Sequence, residues 1–168
     1  MAEKPVSMKT SLDELDRTLL RILQQNARLS NAELARRVDL SATGLQKRLR
    51  RLEEMGVIER YGALVNREAL GFDMLCFVQV TLQRHEPDAV DNFRREVQTM
   101  SEVLECHHLT GEFDYLLKII VRNRNHLEHF ILNVLTPVRG MDKIRTSLVL
   151  SELKSAAAIP VCEPQAQE

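Results

Sequence analysis

The sequence predicts an α+β chain in two parts, and three observations carry that reading. Three short amphipathic helical patterns, two of them opening on a serine cap, crowd into roughly the first 45 residues after Ser11. From Asp73 onward, strand-like apolar runs and helical patterns follow in the order β, α, β, β, α, β. The charge also changes sign: residues up to Asn66 carry 12 Lys/Arg against 9 Asp/Glu and the rest 11 against 15, within a net charge of -1. Together these predict an N-terminal winged helix-turn-helix and a C-terminal ferredoxin-like βαββαβ domain.

In chain order, Met1 to Ser11 reads as a flexible arm, with Lys4 and Lys9 available for loose phosphate contact. A first helix is expected from about Asp13 to Gln25, where Leu12, Leu15, Leu19 and Ile22 keep helical spacing and Leu20 and Leu23 widen the stripe. Ser30-Asn-Ala-Glu33 is a capping box opening a helix through Arg37 that buries Leu34, Ala35 and Val38. Only Val38-Asp-Leu40 separates it from a third helix, which Ser41 caps and Gly56 ends. In that helix Leu45, Leu49 and Leu52 form the buried stripe, while Lys47, Arg50 and Arg51 project on the other side with Arg48 on the flank.

Helix, tight turn and basic helix make the geometry that lays a recognition helix in the DNA major groove. Val57 to Val65, rich in β-branched residues, is expected to be a strand or wing, and Asn66 to Gly71 a turn between the halves. The domains are therefore set at 1–11 for the arm, 12–57 for the helix-turn-helix, 58–71 for strand and hinge, 72–153 for the ferredoxin-like domain and 154–168 for the tail.

In the second half, Asp73 to Gln83, Glu102 to Leu109, Tyr115 to Arg122 and Thr146 to Leu153 are the expected strands. Helices are expected over Asp88 to Met100, burying Val90, Phe93, Val97 and Met100, and over Asn125 to Leu135, burying Leu127, Phe130, Ile131, Val134 and Leu135. The fold leaves one sheet face bare, yet the strands are apolar on both faces: Leu116 and Ile120 alternate with Tyr115, Leu117, Ile119 and Val121. A second copy of the sheet is the simplest cover, which predicts a homodimer; the tail from Ser155 is large enough only to add an edge segment.

Composition is that of a soluble globular protein, with 44% hydrophobic and 28% charged residues, and no apolar run long enough for a membrane span or signal core. A cytoplasmic location and no membrane partner are expected. Cys76, Cys106 and Cys162 lack the spacing of a disulfide framework. Cys106-His107-His108 with His126 and His129 invites a metal site, but in a strand Cys106 and His108 face one way and His107 the other, so no metal and no cofactor are expected. The chain holds no nucleophile elbow, P-loop or dinucleotide fingerprint, so no catalytic residue and no enzyme activity are expected.

The motifs Leu12-Asp-Glu-Leu-Asp16, Arg28-Leu-Ser-Asn-Ala-Glu-Leu-Ala35, Leu40-Ser41, Lys47-Arg-Leu-Arg-Arg-Leu-Glu-Glu-Met-Gly-Val-Ile58 and Gly111-Glu-Phe-Asp-Tyr-Leu-Leu117 stand in the order found in one family. Through them the chain resembles the Lrp/AsnC (feast/famine) transcription regulators from Leu12 to about Val161. The resemblance implies a winged helix-turn-helix joined to an amino-acid-binding (RAM/ACT-like) domain, dimers that associate further, often into octamers, and a free amino acid as effector. Leucine leads by likeness, with methionine, cysteine or another branched-chain amino acid behind.

For the residues this gives two sets of expectations. Thr43, Gly44, Gln46 and Lys47 are expected at base edges, and Ser41, Arg48, Arg50 and Arg51 at phosphates of double-stranded DNA. The other reading of each arginine is an internal salt bridge, for example with Glu53 or Glu54. A free amino acid needs donors, an acceptor and an apolar wall: Gly111 can present backbone amides, Asp114 can hold the ammonium, and Thr110 and Phe113 can complete the site. As residues alone, Thr110 to Asp114 read equally well as a plain hairpin turn; the resemblance favours the effector site.

The function expected is therefore a sequence-specific DNA-binding transcription regulator responsive to a free amino acid and reading a pseudo-palindromic site. The alternatives are a metal-responsive winged-helix repressor and an amino-acid-binding regulatory subunit without DNA binding.

Overall fold

The computed structural model describes residues 12–83, 88–155 and 158–161, so the arm over Met1 to Ser11, Lys4, Lys9 and Cys162 lie outside the described residues. The described residues form two compact units, one within Met1–Leu64 and Lys154–Glu168, the other Val65–Leu153.

The first unit is built from α1 (Glu14–Gln25), α2 (Asn31–Arg37) and α3 (Ala42–Glu54). Each start is fixed by its own side chains. Asp13 Oδ1 accepts from the Asp16 amide at 2.8 Å while Asp16 Oδ2 accepts from the Asp13 amide at 3.2 Å. Ser30 and Glu33 make the same exchange at α2, and Ser41 Oγ accepts from the Gly44 amide at 3.1 Å at α3. The turn between α2 and α3 places Asp39 at φ 52, which a short polar side chain tolerates, and α3 ends as the Val57 amide reaches back to the Leu52 carbonyl at 2.9 Å with Gly56 at φ 67. Leu19, Leu34, Ala35, Val38 and Leu45 form the core, with Leu15, Ile22 and Leu49 packed on it.

Two expectations change here. Residues 57–65 form no strand: a strand needs a partner ladder, and β-branched composition does not supply one. Among the described residues the tail is no sheet edge either. Gln24 Nε2 donates to the Ile159 carbonyl at 3.1 Å, the Ile159 amide donates to Gln24 Oε1 at 2.7 Å, and Arg21 donates to the Val161 carbonyl at 3.1 Å, so this stretch lies along α1. The tail thus joins the first unit.

The second unit carries β1 (Met74–Leu82), α4 (Ala89–Val97), β2 (Val103–His108), β3 (Tyr115–Val121), α5 (Arg124–His129, continuing as a π-helical turn over Phe130–Leu135) and β4 (Met141–Leu148). The sheet order is β2-β3-β1-β4, with β1–β3, β1–β4 and β2–β3 antiparallel, as the βαββαβ plan requires. Cys76, Val78, Val80, Tyr115, Leu117, Ile119 and Val121 share one face and bury against Phe93, Val97, Phe130 and Leu135 of the helices.

The last strand runs from Met141 to Leu148 and not from Thr146 to Leu153; its charged residues sit on an edge strand that is exposed, so they do not interrupt pairing with β1. In α4 it is Ala89 that is buried, while Val90 is 38% exposed. The other sheet face is mixed. Phe77 lies beside Lys118 there, and Lys118 and His107 both reach Glu105 at 3.1 Å. Its apolar part is Leu75, Phe77, Leu116 and Ile120, bordered by Lys118, Glu105 and His107.

Candidate DNA-binding face and effector site

The caps and leucine stripe of α3 decide which of its side chains are free. Leu45 and Leu52 are fully buried, which turns Thr43, Gln46, Lys47 and Arg50 outward onto a groove of about 620 Å³ whose floor includes Leu23, Leu29, Leu34 and Leu49. Asn31 at the start of α2 and Tyr61 after α3 share that groove. Tyr61 donates to Glu53 at 2.9 Å, and burial, with that carboxylate adding, pushes its hydroxyl up to about 12.

The four arginine and lysine positions separate into two groups. Arg48 donates to Asp13 at 2.5 Å and to Asp16 at 2.9 Å, and Arg51 donates to the other oxygen of Asp16. Arg48 and Arg51 therefore tie α3 to α1, the internal ion pair that is the other reading of each arginine, although the partners are Asp13 and Asp16 and not Glu53 or Glu54. Arg50 pairs with Glu54 at 2.8 Å, yet its side chain stays 80% exposed, so it keeps access to solvent. Lys47 is exposed. Gly44 is half-buried: a Cβ there would stand 3.1 Å from Ser41 Oγ, so its glycine preserves the cap. Ser41 itself is exposed; its hydroxyl oxygen accepts from the Gly44 amide and keeps its proton to donate.

Asp16 was the residue the sequence reading passed over. Its side chain is 0% exposed, and a carboxylate on the apolar stripe between Leu12 and Leu19 was the signal for it. The bonds also act on Asp13, whose carboxyl is held below its ordinary range first by the Asp16 amide and then by Arg48.

At the loop after β2, Asp114 is the pivot. Its amide donates to the Val80 carbonyl at 3.0 Å, its carbonyl accepts from Leu109 at 2.9 Å, and Oδ2 accepts from the Leu82 amide at 2.7 Å. The β1–β3 ladder stops at Val80 opposite Tyr115, so Leu82 has no strand partner on that side and the carboxylate supplies one. Oδ1 carries no hydrogen bond among the described residues. Gly111 stands at φ 122 with open space where a Cβ would go, a conformation that favours glycine. Thr110 is exposed beside it.

Phe113 lies under Arg145 of β4, whose guanidinium carbon is 5.3 Å from the ring centroid. Sequence reasoning missed Arg145, since β4 was placed too late in the chain and a contact across 32 positions leaves no local signal. The loop so gathers backbone amides, one free carboxylate oxygen, an aromatic ring and a cation. On β2, Cys106 pairs opposite Leu117 and His108 opposite Tyr115 on the helix side, where His108 stacks on Tyr115 at 4.8 Å, while His107 points to the other face.

Comparison with known proteins covers both units. Residues 12–59 match the winged helix-turn-helix DNA-binding family, and residues 75–159 match the Lrp/AsnC ligand binding domain. The leucine-responsive regulatory proteins of Escherichia coli K12 and Serratia marcescens are 41% identical over 145 residues, 86% of this chain and 88% of theirs. A Neisseria meningitidis transcriptional regulator solved as a complex with L-methionine superposes with a TM-score of 0.85 at 36% identity, over 90% of this chain and 97% of its own. An AsnC family transcriptional regulator from Agrobacterium tumefaciens gives 0.82 at 29% identity, over 89% and 97%.

Proposed function

Since the chain belongs to the Lrp/AsnC family of DNA-binding transcription regulators with an amino-acid ligand-binding domain, we propose that α3 reads DNA through Thr43, Gln46 and Lys47 and that the Gly111 loop holds the effector. The observation that carries the first half is the outward row of Thr43, Gln46, Lys47 and Arg50 over buried Leu45 and Leu52. Thr43 to Lys47 lie in the N-terminal part of α3, the part of a recognition helix that meets base edges. Arg50 and Ser41 take phosphates, and Arg48 and Arg51 set the angle of α3 on α1.

In the loop, the effector ammonium goes to Asp114 Oδ1, its carboxylate to Arg145 and the amides about Gly111, and its side chain to Phe113, with Thr110 at the rim. This meets each group of an amino acid with a partner of the matching chemistry. Leucine and methionine are the first candidates, because relatives of this chain are named for the one and solved with the other. The apolar part of the open sheet face, Leu75, Phe77, Leu116 and Ile120, supports a homodimer, and further association to an octamer follows the family resemblance. A DNA partner agrees with the cytoplasmic location expected from the sequence.

The test is a titration of the purified protein on its own upstream DNA and on random DNA, with and without a panel of free amino acids. Preference for the upstream DNA that one amino acid shifts is the expected result. Equal binding to both DNAs, unmoved by every amino acid, would overturn the reading.

A further inference from the structure

A second cleft lies at the other end of the sheet from the Gly111 loop. Phe72 stands just before β1, Ser101 and Glu102 just before β2, Arg122 just after β3 and His126 in α5, around a space of about 370 Å³. That is the lower range of small-ligand pockets, about 300 to 1,000 Å³.

The polar groups of this cleft are held and aimed. The Arg122 amide donates to His126 Nδ1 at 3.2 Å, so the ring proton sits on Nε2, which donates to Glu102 Oε1 at 3.1 Å. Ser101 Oγ donates to Glu102 Oε2 at 3.2 Å. Burial pushes the Glu102 carboxyl up, but its hydrogen bonds outweigh that and hold it below the ordinary range, so it is a carboxylate. The Arg122 guanidinium lies 5.6 Å from the centre of the Phe72 ring and makes no ion pair among the described residues.

A fixed anion and an unpaired cation thus line one cleft without touching each other, beside an aromatic wall. Opposite charges left apart in this way match a ligand that carries both. We propose that the cleft formed by Phe72, Ser101, Glu102, Arg122 and His126 is a second binding site for a free α-amino acid. The carboxylate pairs with Arg122, the ammonium with Glu102, and an apolar or aromatic side chain rests against Phe72. The assignment stands on the charges of the cleft and does not depend on the Gly111 loop.

The experiment is calorimetric titration of the full chain with L-leucine, L-methionine and L-phenylalanine, and with leucinamide and 4-methylpentanoate, which each lack one charge. Wild type is compared with Gly111→Val in the loop and with Arg122→Met and Glu102→Gln in the cleft, circular dichroism reporting the fold. The expected result is two sites per chain for at least one amino acid, one of which survives Gly111→Val. In Arg122→Met that surviving site weakens about ten- to a hundredfold, and neither leucinamide nor 4-methylpentanoate fills it. Arg122 is exposed, so its variant carries the test if Glu102→Gln fails to fold.

A single site that Gly111→Val abolishes would overturn the cleft and leave the loop reading standing. Two sites that Arg122→Met and Glu102→Gln both leave unchanged would do the same. Binding of none of the three amino acids by wild type would overturn the cleft and the loop together.

Discussion

Asp16 and Arg48 lock two helices together: the Asp16 carboxylate, with no exposed surface, accepts from Arg48 at 2.9 Å, and Arg51 takes its second oxygen. Removing one partner from a buried pair leaves the other uncompensated, at a cost of about 3 to 5 kcal/mol. Asp16→Ala removes the buried charge itself and leaves two partly solvated arginines, so the loss is that of charge-assisted hydrogen bonds and is expected at about 1.5 to 3 kcal/mol. Urea unfolding of the variant checks the value, and a loss below about 0.5 kcal/mol, the size of an ordinary surface change, would show that the pair does little.

Because Arg48 is spent on this lock, its substitution should not act as a lost phosphate contact. Lys47→Ala and Arg50→Ala are each expected to flatten the dependence of log K on log salt by about one unit. Arg48→Ala should weaken binding with the slope unchanged. Salt titrations on one DNA duplex separate the two behaviours, and a flattened slope in Arg48→Ala would return that residue to the interface.

Asp13 gives the pH dependence a direction. Its folded pKa is depressed, first by the Asp16 amide and then by Arg48, so its contribution is present above the ordinary carboxylate range and is lost as the pH falls through the depressed value. Asp13→Asn keeps a capping side chain but removes the charge. Wild type should therefore be the more stable at neutral pH, with the gap closing as the solution is made acidic. Urea midpoints measured at a series of pH values from neutral to strongly acidic test this; a gap that stays constant would assign the effect to something other than Asp13 titration.

At the loop, Gly111→Val forces a branched side chain to φ 122, a strain of about 1 to 3 kcal/mol, and should abolish the response to amino acids. Arg145→Met should leave stability nearly unchanged and weaken amino-acid binding about tenfold or more. Calorimetry on the two variants, with thermal unfolding alongside, decides whether the loss is one of binding or of folding.

The helix-turn-helix was legible because its signals are local: Ser30 with Glu33, Ser41 and Gly56 each mark a boundary within one turn of chain. The same holds for β1 and β3, whose apolar runs are long. What escaped was set by partners far away in sequence. Met141 to Leu148 looks too charged for a strand until β1 lends it a ladder, and the residues after Gly56 look like a strand but have no ladder to join. The family resemblance brought the Thr110 to Asp114 loop to notice; it took the fold to bring Arg145 over Phe113 and to give Asp114 Oδ2 to the Leu82 amide. The basic face of α3 was likewise read correctly as basic, but only the buried Asp16 tells which arginines are occupied.

The tail on α1 has a consequence for how the protein is made. Gln24 and Ile159 are 135 residues apart in the chain, yet each bonds the other. At a synthesis rate of about 5 to 20 residues per second, Ile159 is joined to the chain roughly 7 to 27 s after Gln24. The apolar core of α1, α2 and α3 is therefore in the chain long before the stretch that lies along α1, and α1 keeps Arg21 and Gln24 open to solvent until that stretch arrives.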